Sequence, residues 1–521
     1  MKNLVVTRIQ NMNPYTPPLI GRSSYNGLLL DSNERTTVPS GKVITAITKL
    51  LGTRQVQTYP EYGDLEAKIA RYAGVDTNQV LLTSGSDQAI SLIFRTFTDV
   101  NDSVIIPSPT FSMYGITAQI CGGIIDRPSY SGTPLRFPTD EILTRITPQV
   151  RLIVICNPNN PTGTLAAVSD IKQIAKKANN SIILVDEAYA EFSGISCVKL
   201  IKTIPNLIIT RTFSKAFGLA GARIGYIIAD PTYVSELRKI RGPYDVNIFA
   251  AVVASAALKD IPDMRRYVAL VMNRSKPLLE NFFSTNKIPF CPSAANFLLF
   301  YPDNATRVEM ILRENGILVR QFNSQGLENA LRVTIGTINE TNQFINIYTR
   351  YVLDTSQQQS YAFIDRDGTL MYEPQDTFQV DSVKDLRILP GVIRGLKKLK
   401  TYGYRLIMIS NQDGLGSTKN PAESFMKVQK ALLTRLRRNG ITFEKILICP
   451  HFPEDQCACR KPKTGLIKTM LSQKKVNLAT SFVCGDRISD KLFADNMGIS
   501  YRAMKTNGDF LESIGFPKEA V

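Results

Sequence analysis

The sequence predicts an α/β protein of about three compact units, and two observations point to this fold class. Short apolar segments alternate with amphipathic helical stretches along most of the chain, which is typical of mainly parallel sheets covered by helices. The chain is also 521 residues long, which is more than one hydrophobic core usually supports. More than one activity can therefore reside on it.

The first α/β series lies within residues 81–226. Its strands are predicted, in chain order, at 103–106, 151–156, 182–185 and 206–210. A second pattern consists of helices and then strands, predicted at 249–258, 264–283, 296–300 and 331–335. We interpret residues 31–240 as a large subdomain, and residues 1–30 with 241–350 as a smaller α/β subdomain.

A separate doubly wound, Rossmann-like domain is predicted for residues 361–521. Residues 351–360 become polar and lose periodicity, which is typical of a linker. After them, a fresh series of strands is predicted at 361–364, 405–409, 445–449 and 481–484. The helical stretches between these strands favour a parallel sheet.

The composition restricts the function classes. Hydrophobic residues make up 44% and charged residues 21% of the chain, which excludes extensive disorder. No apolar run approaches the roughly 18 residues that cross a bilayer, and the N-terminus lacks the features of a signal peptide, so we expect a cytoplasmic protein. The net charge of +17 is spread along the chain, which favours small phosphorylated substrates over nucleic acid as partners.

Four side chains in the first series suit an aromatic aldehyde cofactor. Lys215 follows a strand between hydroxyl-bearing residues, where an amine can form a Schiff base. Asp186 and Tyr189 follow another strand and suit a carboxylate at a protonated pyridine nitrogen and a phenol at the ring oxygen. Asn160, on a proline-fixed turn, can reach the same oxygen. Each segment alone could be structural, but together they predict a cofactor site.

A phosphate on that cofactor has its own candidates. Ser86 and Asp87 precede the helical stretch up to residue 97, and a helix N-terminus favours anions. Ser214 and Arg223 flank the lysine segment. Phe111 could stack on the cofactor ring, although it would otherwise be read as a core residue.

These segments, from about residue 15 to 337, resemble the fold-type I pyridoxal-phosphate enzymes, and specifically the histidinol-phosphate aminotransferases. The resemblance implies that Lys215 is the Schiff-base lysine, that Asp186 pairs with the pyridine nitrogen, and that Asn160 and Tyr189 contact the ring oxygen. It places four residues around the cofactor phosphate: Ser86, Asp87, Ser214 and Arg223.

The same resemblance implies a homodimer. Tyr59 would reach the cofactor phosphate of the neighbouring subunit. Arg320 and Arg332 match arginines that hold substrate anions, and Tyr15 would assist at the substrate phosphate. A guanidinium fork suits both carboxylate and phosphate. Threonine-phosphate decarboxylases share much of this framework, so fine substrate preference stays open.

The last third of the chain has a second set of chemical groups. Asp365 and Asp367 follow an apolar strand, so one carboxylate can attack phosphorus while the other serves as acid and base. Ser410 and Asn411 end a second strand and can contact a phosphorylated substrate. Lys461 can neutralise charge, and two more carboxylates follow the strand at 481–484. This convergence predicts a magnesium and phosphate site.

The only histidine of the chain lies among three of its eight cysteines. Cys449, His451, Cys457 and Cys459 have a spacing that can close a tetrahedral zinc site. Four protein ligands leave no open position, so we expect zinc to order this loop and not to catalyse.

Residues 361–501 resemble the haloacid-dehalogenase superfamily and, with this zinc loop, its histidinol-phosphatase group. The resemblance implies that Asp365 is the nucleophile, that Asp367 is the acid and base, and that Ser410 and Lys461 hold the phosphoryl group. Magnesium would be bound by Asp365, Asp486 and residue 367, the last through its main-chain oxygen.

Taken together, the two resemblances predict a bifunctional enzyme of histidine biosynthesis. Imidazole acetol phosphate and glutamate would give histidinol phosphate and 2-oxoglutarate, and histidinol phosphate would then be hydrolysed. One alternative is an aminotransferase for another phosphorylated substrate fused to a heptose-bisphosphate phosphatase. Another makes one half a degenerate binding module, although the retained lysine and carboxylates disfavour it.

Overall fold

The computed structural model of the chain describes residues 4–10, 12, 22, 24–132, 134–322, 324, 326–354, 359–472, 475–478 and 480–514. The chain forms two compact units, Met1–Ala305 with Gly316–Ile345, and Thr306–Asn315 with Asn346–Val521. Residues 306–315 and 346–350, which were predicted to belong to the small subdomain, thus cluster with the second unit. None of the described helices is long and apolar enough to cross a membrane.

The first 350 residues alternate helices and strands. Their helices are α1 (Thr7–Gln10), α2 (Gly41–Leu51), α3 (Leu65–Ala73), α4 (Gly85–Phe97), α5 (Ser112–Cys121), α6 (Thr139–Arg145), α7 (Val168–Lys177), α8 (Ala190–Ser193), α9 (Pro231–Ile240), α10 (Ile248–Leu258), α11 (Ile261–Leu270), α12 (Lys276–Thr285), α13 (Ala305–Glu314) and α14 (Ile338–Tyr348). Their strands are β1 (Leu28–Leu29), β2 (Val80–Thr83), β3 (Ser103–Ile105), β4 (Ile124–Asp126), β5 (Val150–Cys156), β6 (Ile182–Asp186), β7 (Leu207–Thr212), β8 (Gly225–Ile228), β9 (Phe290–Cys291), β10 (Phe297–Phe300), β11 (Ile317–Leu318), β12 (Arg320–Phe322) and β13 (Ala330–Thr334).

A seven-stranded sheet in the order β2-β8-β7-β6-β5-β3-β4 forms the centre of the first unit. Strands β4, β3, β5, β6 and β7 are parallel, whereas β8 runs antiparallel to both β7 and β2. The central strands β5 and β6 are mostly apolar, β7 begins with three apolar residues, and all three strands are almost completely buried, as expected for a sheet covered on both faces. Their carboxyl ends meet at one edge, which brings together the segments that follow them.

A smaller antiparallel sheet, in the order β12-β13-β10-β9, accompanies it, and β1 pairs in parallel with β11. Arg320 of β12 is the direct register partner of Arg332 of β13. Two of the predicted anion-binding residues therefore stand side by side on neighbouring strands.

The second unit contains a five-stranded parallel sheet in the order β16-β15-β14-β17-β18. Its strands are β14 (Tyr361–Ile364), β15 (Arg405–Asn411), β16 (Lys445–Cys449), β17 (Phe482–Gly485) and β18 (Ser500–Ala503). Its further helices are α15 (Val392–Thr401), α16 (Ala422–Arg438), α17 (Lys468–Ser472), α18 (Ile488–Met497) and α19 (Phe510–Ser513). Apolar clusters cover both faces of this sheet.

Candidate active sites

A cavity of about 400 Å³ lies at the carboxyl edge of the seven-stranded sheet. All of the predicted cofactor residues except Tyr59 line it, namely Ser86, Asp87, Phe111, Asn160, Asp186, Tyr189, Ser214, Lys215 and Arg223. They come from segments that are far apart in sequence, and the sheet edge is what brings them together.

Lys215 is the amine of this cavity. Its Nζ donates a hydrogen bond to the main-chain oxygen of Ser32 at 2.9 Å and lies 5.7 Å from the centre of the Tyr189 ring. Burial lowers the pKa of Lys215 to about 8, and the positive charge of Arg332 acts in the same direction. A useful fraction of the amine is therefore neutral, and so nucleophilic, near neutral pH.

Asp186, at the end of β6, is the carboxylate of the cavity and is only 3% exposed. It accepts hydrogen bonds from the hydroxyl of Tyr114 at 2.6 Å and from the main-chain N–H of Ala188 at 3.1 Å. Burial raises the pKa of Asp186 to about 6, against the effect of the Tyr114 hydrogen bond. Tyr114 was not predicted from the sequence; it lies in the first turn of α5, three residues after Phe111.

Two polar side chains flank the region between Lys215 and the smaller sheet. The hydroxyl of Tyr189 accepts a hydrogen bond from the Asn33 amide at 3.0 Å. The side-chain oxygen of Asn160 accepts one from the guanidinium of Arg332 at 2.5 Å. Asn33 was also missed, because nothing in its local sequence shows that it meets Tyr189.

The opposite end of the cavity is built for an anion. The N-terminus of α4 presents Ser86 there, and Arg223 forms an ion pair with Asp87 at 2.8 Å. Thr212 donates a hydrogen bond to the Ser214 hydroxyl at 2.9 Å. The backbone amides, hydroxyls and guanidinium at this end are the groups that bind phosphate in proteins.

The glycines fit the same interpretation. Gly85 opens α4 with φ +75°, and a Cβ at Gly225 would lie 2.8 Å from the carbonyl carbon of Gly85 and 2.9 Å from the nitrogen of Ser86. Glycine at 225 thus lets β8 approach the anion loop closely. Together with a buried carboxylate and a lysine, this cradle fits pyridoxal phosphate.

A second cavity of about 780 Å³ continues from Lys215 toward the smaller sheet. Arg320 and Arg332 line it with Arg127, which the sequence analysis did not identify. Because Arg320 and Arg332 are register partners, their like charges repel each other unless an anion lies between or beside them. This cavity is the candidate substrate site.

One predicted residue, Tyr59, does not line either cavity within a single chain. Tyr59 is 76% exposed and stacks on Tyr244, with ring centres 4.4 Å apart. Tyr15 lies outside the residues that the structure describes.

The second unit gathers a buried charge cluster at the carboxyl edge of its sheet. Asp365 directly follows β14, and Lys461 donates from Nζ to the carboxylates of Asp365 and Asp490, each at 2.5 Å, and to the main-chain oxygen of Ile409 at 3.0 Å. Burial opposes the charge on Lys461, but Asp365 and Asp490 raise its pKa above the ordinary value. The lysine is therefore held protonated between two acids.

Asp486 completes a set of oxygens that can bind a cation. Carboxylate oxygens of Asp365, Asp486 and Asp490 lie within 4.8 Å of one another. Asp486 also accepts hydrogen bonds from Thr506 at 2.8 Å and from Thr369 at 3.3 Å. Such oxygen ligands suit magnesium. Asp490 was predicted only as one of the two carboxylates that follow β17, and its ion pair with Lys461 was not predicted.

The predicted acid and base group, Asp367, is held from two sides. Arg366 donates to it at 2.7 Å and Gln412 at 2.6 Å, and Gln412 also donates to Ser410 at 2.8 Å. The amide of Asn411 bonds the main-chain N–H and oxygen of Lys461, at 3.0 and 3.1 Å. Both ends of the Asn411 amide therefore position the lysine segment.

The Cys–His loop forms a compact cluster after β16. The Cys459 sulfur lies 3.3 Å from Cys449, 3.4 Å from Cys457 and 3.2 Å from Nδ1 of His451. Thiolates about 2.3 Å from a tetrahedral zinc stand about 3.7 Å apart. The four side chains therefore have nearly the arrangement that a zinc ion requires.

Comparison with known proteins matches the two parts of the chain to protein families. Residues 25–347 match the aminotransferase class I and II family. The chain belongs to this family. Residues 360–510 match the polynucleotide kinase 3 phosphatase family, so a phosphatase domain follows the aminotransferase.

The aminotransferase part has curated relatives of about one third identity. A histidinol-phosphate aminotransferase of Thermoanaerobacter pseudethanolicus is 35% identical over 321 residues, 61% of this chain and 91% of that protein. One of Lactiplantibacillus plantarum is 34% identical over 349 residues, 64% of this chain and 96% of that protein.

A solved structure supports the fold. The histidinol-phosphate aminotransferase of Sinorhizobium meliloti, in complex with pyridoxal 5'-phosphate, superposes with a TM-score of 0.60 at 23% identity. The superposition covers 66% of this chain and 96% of that one. The predicted α/β class and the fold-type I aminotransferase architecture are thereby confirmed.

Proposed function

We propose that the chain catalyses two consecutive reactions of histidine biosynthesis. Imidazole acetol phosphate would take an amino group from glutamate, giving histidinol phosphate and 2-oxoglutarate, and the phosphatase domain would hydrolyse histidinol phosphate to histidinol and phosphate. The observation that carries this proposal is the 35% identity to a histidinol-phosphate aminotransferase over 91% of that protein. The attached phosphatase domain supports it, because the product of the first reaction is a phosphate ester.

The residues of the first site suit transamination. Pyridoxal phosphate, when bound, supplies a carbonyl that carries the amino group and a ring that accepts electrons. Asp186 is buried, and with a pKa of about 6 it is mostly ionised at neutral pH. Its negative charge would stabilise a positive charge on the ring nitrogen. Because its pKa is lowered, the amine of Lys215 could take a proton from the substrate carbon that bears the nitrogen and then return the proton to a different carbon. Arg320 and Arg332 would bind the anionic groups of both substrates.

The residues of the second site suit hydrolysis of a phosphate ester. Asp365 would attack phosphorus while Asp367 protonates the departing ester oxygen, so that histidinol leaves with a hydroxyl group. Asp367 would then remove a proton from the water that releases phosphate and regenerates Asp365. Ser410 and Lys461 would hold the phosphoryl oxygens. Asp365, Asp486 and the main-chain oxygen of Asp367 would hold magnesium, which neutralises charge on the phosphate.

We infer that Cys449, His451, Cys457 and Cys459 bind one structural zinc ion. The mutual distances within the cluster support this inference, and four protein ligands would leave no open position for a substrate on the zinc. Metal analysis of the purified protein should find about one zinc per chain, and Cys459→Ser should lose it. Cys121→Ser, in the first unit, is the matched control and should keep the metal. Equal zinc in both variants would contradict the assignment.

We also propose a homodimer formed through the aminotransferase part. Large apolar side chains are exposed on α2, on the segments around it and near the N-terminus of α10, which packs on α2. They are Val38, Ile44, Leu51, Val56, Tyr59, Tyr244 and Phe249. An apolar surface of this kind is typical of a protein interface, and Tyr59 in its midst would then face the partner's cofactor site.

The decisive experiment follows both products from imidazole acetol phosphate and glutamate, with pyridoxal phosphate and magnesium present. We expect equal amounts of 2-oxoglutarate and phosphate from the unchanged protein. Asp365→Asn should release 2-oxoglutarate alone, whereas Lys215→Ala should release neither from this mixture but should still hydrolyse added histidinol phosphate. If 2-oxoglutarate appears without phosphate in the unchanged protein, the phosphatase has another substrate, and heptose bisphosphate is the first to test. If neither product appears, the pathway assignment is wrong.

A further inference from the structure

Arg127 lies at the carboxyl edge of the seven-stranded sheet, and the proposed transamination assigns it no role. It directly follows β4, the edge strand, which is parallel to β3 and through it to β5, β6 and β7. Its side chain lines the 780 Å³ cavity together with Lys215, Arg320 and Arg332. Arg127 therefore lies at the same carboxyl edge as the amine that carries out the transfer.

A glycine in α5 makes room for the Arg127 guanidinium. A Cβ at Gly115 would lie 2.9 Å from a terminal nitrogen of Arg127 and would displace it. Gly115 is buried in the helix interior, where glycine is less favourable than alanine. The close approach of Arg127 gives a physical reason for glycine at this position.

The acid next to Arg127 in sequence, Asp126, and the acid that lines the same cavity, Asp31, have other cationic partners. Asp126 and Glu141 both form ion pairs with Arg145, and Asp31 pairs with Arg22 at 3.0 Å. Among the residues that the structure describes, no acid forms an ion pair with Arg127.

A cavity lined by several cations and by one acid that is already paired attracts anions. Glutamate brings two carboxylates, for which the Arg320 and Arg332 pair is available. A phosphate ester brings nearly two charges on one group and three acceptor oxygens. A third guanidinium would therefore stabilise the bound phosphorylated substrate more than it would stabilise bound glutamate.

We infer that Arg127 binds the phosphate group of the phosphorylated substrate and determines specificity for it. This inference rests on the transamination proposed above. The Arg127 fork donates hydrogen bonds to the phosphate oxygens, and Gly115 keeps the fork within the cavity. Glutamate binding does not use Arg127.

The test measures both Michaelis constants in the full-length protein, from 2-oxoglutarate formation without added magnesium, so that the phosphatase does not consume the phosphate ester. Arg127→Gln should raise KM for imidazole acetol phosphate about tenfold, and leave KM for glutamate within about twofold. Arg127→Lys keeps the positive charge but loses the guanidinium fork. Its KM for imidazole acetol phosphate should lie between those of the unchanged protein and Arg127→Gln. Arg151→Gln is the matched control, because Arg151 is an exposed residue at the amino end of β5. It should change neither constant.

Gly115→Ala provides an independent variant that leaves Arg127 in the chain. It should raise KM for imidazole acetol phosphate several-fold by displacing the guanidinium, without lowering the melting temperature, since alanine favours the helix. An unchanged KM in Arg127→Gln would overturn the inference while the proposed function stands. Equal rises in both Michaelis constants would also overturn it, because they indicate a structural role. No 2-oxoglutarate from the unchanged protein would overturn the proposed function and this inference with it.

Discussion

At the scale of single residues, burial gives Lys215 its reactivity. An ordinary lysine is almost fully protonated at pH 8, whereas burial and the neighbouring Arg332 lower the pKa of Lys215 to about 8. Only the neutral amine can add to a carbonyl. Covalent attachment of pyridoxal phosphate to the cofactor-free protein should therefore accelerate as pH rises, with a midpoint near 8. Borohydride trapping at a series of pH values, followed by mass spectrometry, measures this rate.

Arg332→Gln tests the cause of the shift. Removing the guanidinium leaves burial in place, so the midpoint should move upward but stay below the ordinary lysine value. A midpoint near 10 in the unchanged protein would show that Lys215 is not held in the buried position that the structure gives it.

Lys461 differs from Lys215, because its positive charge is needed to stabilise two buried carboxylates. It is 3% exposed and bridges Asp365 and Asp490. Lys461→Ala would leave two buried carboxylates without a counter-ion, so we expect the second unit to lose about 3 kcal/mol of stability and phosphate release to stop. Lys463→Ala, which removes an exposed lysine that bonds the main-chain oxygen of Gln456, should change neither. Calorimetry with and without magnesium checks the stability, and transamination should persist in both variants.

The placement of Lys215, Asp186 and Asp365 at the two sites was predictable from their local sequence. Each lies at or just after the end of a strand and has a recognisable set of neighbours. Tyr114 was not predicted, because its role arises only from a contact across the fold with Asp186, and the ion pair of Asp490 with Lys461 was not predicted for the same reason. Their own segments resemble ordinary helical sequence.

At the scale of secondary-structure elements, the approach of β8 to α4 shapes the anion end of the cofactor cavity. A Cβ at Gly225 would meet main-chain atoms of residues 85, 86 and 211 within 3 Å, and backbone cannot move aside as a side chain can. Gly225→Ala should push the N-terminus of α4 outward, destabilise the first unit by about 1–3 kcal/mol, and weaken pyridoxal phosphate binding. Equilibrium dialysis against the cofactor measures the affinity.

Gly221→Ala is the control for that change. Gly221 lines the same cavity, but a Cβ there would meet nothing within 4 Å. Its cofactor affinity should stay close to that of the unchanged protein. If the two variants behave alike, the close approach at Gly225 does not determine cofactor binding.

Most strands were predictable because their apolar runs are continuous. The strands predicted at 361–364 and 445–449 match β14 and β16, and those predicted at 151–156 and 182–185 differ from β5 and β6 by one residue at one end. Eight short strands among the described residues were not predicted, namely β1, β2, β4, β8, β9, β11, β12 and β18. The antiparallel direction of β8 follows from its pairing with β7 and β2. The local sequence of β8 does not indicate this pairing.

The helix predicted at 264–283 shows a finer difference. The structure has α11 and α12 joined by a π-helical turn at Val271–Ser275. Pro277 lies at the start of α12. A proline has no N–H to donate and its ring clashes with the carbonyl four residues before it, so a widened turn accommodates it within the helix.

At the scale of the whole molecule, each of the two compact units carries its own set of reactive groups at a sheet edge. Tyr59 is exposed, among apolar side chains. The first site therefore lacks one predicted phosphate ligand within a single chain, and a second copy is the simplest source of it.

Complementation between two defective proteins tests that interpretation. Lys215→Ala removes the amine and Tyr59→Ala removes the residue predicted to cross the interface. In a mixed dimer, one of the two sites would combine the intact Lys215 of one chain with the intact Tyr59 of the other. Random re-association should place half of the molecules in mixed dimers, so about a quarter of the wild-type transamination rate should return. If Tyr59 served its own chain, no mixed site would be intact, and the mixture would be no more active than its two components.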